Sequence, residues 1–111
     1  MLRGDSRPAD RASIEAMIAL IAHRGPDHTG ILVHRAVGLG AARLSIVDRS
    51  DAGAQPLGDE HAALTFNGEI YNHRELGRHL EEAGVVFRGH SDTEVLFHAL
   101  CRWGVADTLP R

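Results

Sequence analysis

With 111 residues the chain is long enough for one domain with a real core and too short for two. Its content, 43% hydrophobic and 24% charged, is ordinary for a globular protein, and no apolar run approaches the roughly 20 residues that span a bilayer. A net charge of -3 gives no electrostatic reason for a nucleic-acid partner, and one cysteine, Cys101, excludes an internal disulfide framework. Neither a membrane nor a nucleic acid is therefore expected as a partner. The polar opening Met1 to Arg11 lacks the apolar stretch of a secretory signal, so the cytoplasm is the expected compartment.

Residues Asp10 to His23 read as an amphipathic helix, with Ile14, Met17, Ile18 and Ile21 on one face and the breakers of His23-Arg24-Gly25-Pro26-Asp27 behind them. Gly30 to Ser50 carries the β-prone runs Ile31-Leu32-Val33 and Leu44-Ser45-Ile46-Val47. Between them Val37 to Ala42 is a glycine-punctuated candidate strand. Arg49 to Glu60 reads as a surface loop, and Ala62 to Phe66 as a strand running into Asn67-Gly68. Helix returns at Arg74 to Ala83, striped by Leu76, Leu80 and Ala83 and stopped by Gly84. A short strand, Val85-Val86-Phe87, then leads to a third helix. Ser91-Asp92-Thr93-Glu94 has the capping-box spacing there, and Val95, Leu96, Phe97, Ala99, Leu100, Cys101 and Trp103 predict a deeply buried element. The mixture argues for an α+β fold rather than regular βαβ repetition, in one unit with no internal repeat.

Local chemistry leaves the polar residues ambiguous. Asn67-Gly68 between two β runs is a strong hairpin signal. Asp92 in a first helical turn meets the helix dipole favourably. Arg43 suits an ordinary sheet-edge arginine, and His23 to Asp27 a helix stop. The 8 histidines show no His-Glu-x-x-His spacing, and a single cysteine removes every Cys-Cys zinc pattern. Gly38-Leu39-Gly40 lacks the third glycine of a dinucleotide fingerprint. Ser45 lacks the glycines of a nucleophile elbow, and Cys101 reads as a buried structural thiol.

Read in order, these segments resemble the class II (N-terminal nucleophile) glutamine amidotransferases, in the branch of the glutamine-hydrolysing asparagine synthetases. The matching stretches are His23-Arg24-Gly25-Pro26-Asp27, Ala42 to Asp48, Gly53-Ala54-Gln55-Pro56-Leu57, Asn67-Gly68-Glu69-Ile70-Tyr71-Asn72 and Ser91-Asp92-Thr93-Glu94. The resemblance implies a sandwich of antiparallel sheets with helices, of the N-terminal nucleophile type and incomplete here. It also implies roles. Arg43 would grip the α-carboxylate of glutamine with its planar fork of donors. Asp92, helped by Glu69, would pair with the α-ammonium. The Asn67 side-chain amide and the Gly68 N–H would form the oxyanion hole. Arg24 stands where the family keeps an arginine near the nucleophile.

The chain departs from the family at its opening. The family's nucleophile is an N-terminal cysteine, exposed in a Met-Cys-Gly-Ile start, whose own amine serves as base. Here Met1-Leu2-Arg3-Gly4-Asp5 stands instead, so the catalytic nucleophile is absent from these residues. The opening resembles the family a few positions downstream of that cysteine, and Trp103 to Arg111 stops where the family continues into further strands. The expectation is a partial glutamine amidotransferase domain over 1–111, truncated at both ends by a misassigned start, a shortened gene or a cloning boundary, inactive as it stands and prone to self-association through open sheet edges. No cofactor is expected within this segment, since ATP and magnesium belong to the missing synthetase domain. Glutamine or glutamate is the expected ligand. The alternative is a non-catalytic glutamine-binding or interaction module, including degenerate relatives of β-lactam-forming or peptide-cyclising synthetases.

Overall fold

The computed structural model describes residues 7–44, 54–89 and 91–111. They contain mixed helix and strand, with the strands in small antiparallel pairs. The chain divides into two compact units, residues 7–44 with Ala54–Pro56 and Leu57–Arg111.

The first unit opens with helix α1, Arg11–Ile21. Asp10 is its N-cap, and the carboxylate accepts from Ala12 N and Ser13 N, both at 3.2 Å, satisfying donors that have no partner within the helix. A 3-10 turn, Ala22–Arg24, follows. Strands β1 (His28–His34) and β2 (Val37–Arg43) form an antiparallel hairpin, from His28 opposite Arg43 to His34 opposite Val37. Arg35 at its turn takes φ +53°, and its carbonyl accepts from Ala9 N at 2.7 Å.

Of the predicted apolar stripe on α1, Ile14 and Ile18 are buried while Met17 and Ile21 are 49% and 43% exposed. The reason lies in β2. Gly38 and Gly40 share one face of the strand and leave a groove that receives the two isoleucines, where a β-carbon at Gly40 would lie 2.9 Å from Ile18 Cγ1. Of the predicted strand Leu44 to Val47, Leu44 is not in a strand, and residues 45–47, Ser45 among them, lie outside the described set.

The second unit opens with a short hairpin of β3 (Leu57–Gly58) and β4 (Ala63–Leu64). Of the predicted loop Arg49 to Glu60, residues 49–53 are outside the described set, and Leu57–Gly58 is strand rather than loop. The Asp59 carboxylate closes the turn, accepting from His61 N at 2.8 Å and Ala62 N at 2.9 Å. Those two bonds hold its pKa below the ordinary carboxylate value. The predicted strand Ala62 to Phe66 contracts to β4. Asn67-Gly68 then joins no pair of strands, so the hairpin reading of this dipeptide is overturned: the chain runs through a bend at Gly68 into helix α2, His73–Glu82.

Helix α2 ends in a glycine cap. Gly84, at φ +91°, donates to Glu81 O at 2.9 Å, and Val85 N donates to Leu80 O at 2.9 Å. Val85 to Phe87 is not a strand, contrary to expectation. Val86 is exposed, while Val85 and Phe87 pack on the core of Leu76, Leu80, Val95 and Ala99. That core lies between α2 and helix α3, Asp92–Thr108. The capping-box sequence is half realised. Ser91 Oγ accepts from Glu94 N at 3.2 Å, whereas the Glu94 carboxylate turns to the loop before it, accepting from Arg88 N at 2.7 Å and Gly89 N at 2.9 Å. Gly104, at φ 76° and ψ 173°, breaks the helical path near its end.

The burial predicted for α3 holds on one side only. Val95, Phe97 and Ala99 are buried, but Cys101 is exposed, which corrects its reading as a buried structural thiol. It borders an apolar cavity of about 130 Å³ with Ala62, Ala63, Leu64, Phe97 and Leu100. Partial desolvation, with the nearby Asp59 charge, pushes the Cys101 thiol pKa up. Among the described residues no helix is long and apolar enough to cross a membrane.

Candidate functional site

Arg24 and Arg43 lie in the first unit, and its backbone explains how they are held. Gly25 follows Arg24 and presses on the strand end that carries Arg43. A β-carbon at Gly25 would fall on the Ala42 carbonyl and Arg43 N, so only glycine fits that approach. Pro26 bridges to Arg43, and Asp27 N donates to Arg43 O at 3.1 Å. The segment read as a helix stop is thus also a buttress for the C-terminal end of β2. Arg24 is exposed and Arg43 half-buried. Gly30 on β1 plays a similar part for Gln55, whose carbonyl occupies the space a side chain would need.

The other candidates lie in the second unit, where the structure brings them together. Asn67, Gly68 and Glu69 form an exposed segment, and Ile70 follows half-buried. Ile70 N donates to Asp92 Oδ2 at 3.0 Å, which fixes the carboxylate at the start of α3 beside the segment carrying Asn67, Gly68 and Glu69. A carboxylate offers about four lone-pair positions, so this bond leaves acceptor capacity at Asp92 for a cationic group. The position also suits a negative charge, because the N-terminal end of α3 presents the positive end of the helix dipole. Gly68 sits over the ring of Phe66: a β-carbon there would lie 2.9 Å from Phe66 Cζ. A main-chain N–H at such a position can approach a ligand without a side chain in the way.

Three further residues, to which the sequence assigned no role at the site, support it. His73 places Nδ1 2.9 Å from Ile70 O, and its own N–H donates to the same carbonyl at 3.1 Å. Glu94, with 2% of its surface exposed, holds the loop before α3 through both carboxylate oxygens. Asn72 extends its side-chain amide to Arg111 O at 2.9 Å. The signal for His73 was its place three residues after Ile70, the spacing of a local ring-to-carbonyl bond. For Glu94 the available signal pointed to the wrong partner, its own helix cap. Among the described residues no group of three His, Cys, Asp or Glu side chains is placed to hold a metal ion.

Comparison with known proteins gives a consistent result. A family model described as a glutamine amidotransferase domain matches residues 3–111. Asparagine synthetase [glutamine-hydrolyzing] 1 of Bacillus subtilis (strain 168) is 49% identical over 85 residues, which cover 75% of this chain and 13% of the relative. Asparagine synthetase [glutamine-hydrolyzing] 3 of Arabidopsis thaliana is 41% identical over 96 residues, 85% of this chain and 16% of the relative. Amidase chry2 of Gibberella zeae is 36% identical over 110 residues, 96% of this chain and 16% of the relative. The chain thus spans only 13% to 16% of the length of these relatives.

Proposed function

Because the chain belongs to the glutamine amidotransferase domain family, we propose that it carries residues that bind glutamine and stabilise the oxyanion of its side-chain amide. In this reading the Arg43 guanidinium takes the α-carboxylate, and Asp92, with Glu69, takes the α-ammonium. The Asn67 amide and Gly68 N–H donate to the amide oxygen as its carbon becomes tetrahedral. Arg24 supports the nucleophile's surroundings. The observation that carries the reading is the 3.0 Å bond from Ile70 N to Asp92 Oδ2, which ties the ammonium acceptor to the segment bearing the oxyanion donors. An N-terminal nucleophile-type sandwich is the fold proposed for the full domain.

Cleavage needs a nucleophile these 111 residues do not contain. Their one thiol, Cys101, lies on α3, where partial desolvation and the Asp59 charge raise its pKa and disfavour the thiolate. We therefore assign binding without hydrolysis to this stretch, the property of a glutamine-binding module. For a parent enzyme we propose what the names of the synthetase relatives describe: glutamine hydrolysed for asparagine synthesis. The ATP and magnesium chemistry of aspartate amidation would then fall to a synthetase domain outside these residues.

Isothermal titration calorimetry with L-glutamine, paired with an ammonia-release assay, tests this. The chain binds glutamine and releases no ammonia above background. R43A and D92N each weaken binding about tenfold or more, the scale of one charge-assisted hydrogen bond. No heat from glutamine, or affinity untouched by both substitutions, contradicts the proposal.

A further inference from the structure

Both backbone polar groups of Ile70 are engaged. Its N–H donates to Asp92 Oδ2 at 3.0 Å, and its carbonyl accepts from His73 N at 3.1 Å, with His73 Nδ1 2.9 Å away. A carbonyl only accepts, so Nδ1 carries a proton and the ring is a donor. The backbone bond suffices for the turn into α2; the ring bond is additional to it.

Asn67, Gly68 and Glu69 are exposed and lie outside the strands formed by the described residues. Gly68 rests on the Phe66 ring on its N-terminal side, and on its C-terminal side Ile70 carries the bonds described above. Where Gly68 N–H and the Asn67 amide point thus depends on how firmly Ile70 is held. We propose that His73 is a positioning residue for the oxyanion-binding segment, its Nδ1–H locking the Ile70 carbonyl while Asp92 locks the Ile70 N–H. The inference rests on the glutamine-binding reading above. It adds a residue that touches no ligand and acts through Ile70.

The experiment compares the chain with H73A and H73N, since the asparagine amide N–H reaches about where Nδ1–H stands. L-Glutamine affinity is read by calorimetry, and the Gly68 and Ile70 amide resonances by NMR. H73A binds glutamine about fivefold more weakly, about 1 kcal/mol, and shifts both amides. H73N restores affinity to within about twofold and returns the amides toward their original positions. Equal affinity in the unsubstituted chain and H73A overturns the inference and leaves the glutamine reading standing. No binding by the unsubstituted chain overturns the glutamine reading, and this inference with it. A second measurement holds even if H73A does not fold: long-range nitrogen-15 correlation on the His73 ring. A proton on Nδ1 at pH 7.5 supports the inference; a neutral ring protonated at Nε2 overturns it.

Discussion

Glu94 is almost sealed from solvent and negatively charged, a combination that destabilises a fold unless the charge is fully hydrogen-bonded. Here both carboxylate oxygens accept from main-chain N–H groups, of Arg88 and Gly89. His98 Nε2 stands 3.9 Å from Oε1. The Phe87 and His98 rings meet edge-on with centroids 5.3 Å apart, so the carboxylate is tied to the loop that delivers Ser91 and Asp92. Replacing Glu94 by alanine leaves two donors without these acceptors, and the expected cost is about 2–3 kcal/mol in urea unfolding. E94Q keeps one acceptor and loses less. If E94A unfolds at the same urea concentration as the unsubstituted chain, the latch is not structural. The sequence carried a true signal here, a serine and a glutamate at capping spacing, but the partner of that glutamate was set by a loop whose path the spacing does not encode.

At the scale of elements, the packing of α1 on its hairpin turns on the absence of side chains. Gly38 and Gly40 form the groove, and Ile14 and Ile18 fill it with 6% and 7% of their surfaces exposed. Placing valine at Gly40 puts branched carbon against Ile18 in a close-packed contact, and overpacking of this kind costs about 1–3 kcal/mol. G40V is therefore expected to lower the thermal midpoint measured by circular dichroism. An unchanged midpoint would mean that α1 does not depend on the groove. The helical stripe of α1 was legible from its three-four spacing, and so was the glycine stop of α2. Which half of the α1 stripe is buried was not, because that choice belongs to glycines on another element. The strand reading of Val85 to Phe87 failed for a related reason: β-prone residues become a strand only with a hydrogen-bonding neighbour, and Val85 and Phe87 instead pack their half-buried side chains on the core between α2 and α3.

For the molecule as a whole, the candidate residues were legible as an ordered set of short motifs, while their local meanings were not. Asn67-Gly68 carries the composition of a tight hairpin turn, yet the contact of Gly68 with Phe66 and the bonds of Ile70 to Asp92 and His73 send the chain into α2. Asp92 was readable as a helix-start carboxylate, and the structure adds the Ile70 N–H it accepts. Arg43 was readable as a sheet-edge arginine, and the structure adds the Gly25 to Asp27 buttress behind it. Long-range bonds of this kind, across 22 residues for Ile70 and Asp92, have no periodicity to reveal them.

Recognition of a free α-ammonium beside the Asn67 to Ile70 segment, as proposed above, is tested most directly by an amide NMR titration with two ligands. L-Glutamine should shift the Gly68 and Ile70 resonances saturably. N-acetyl-L-glutamine, which lacks the ammonium that Asp92 is assigned to bind, should leave them nearly unmoved at the same concentration. Shifts of equal size with both ligands, or none with L-glutamine, would contradict the account.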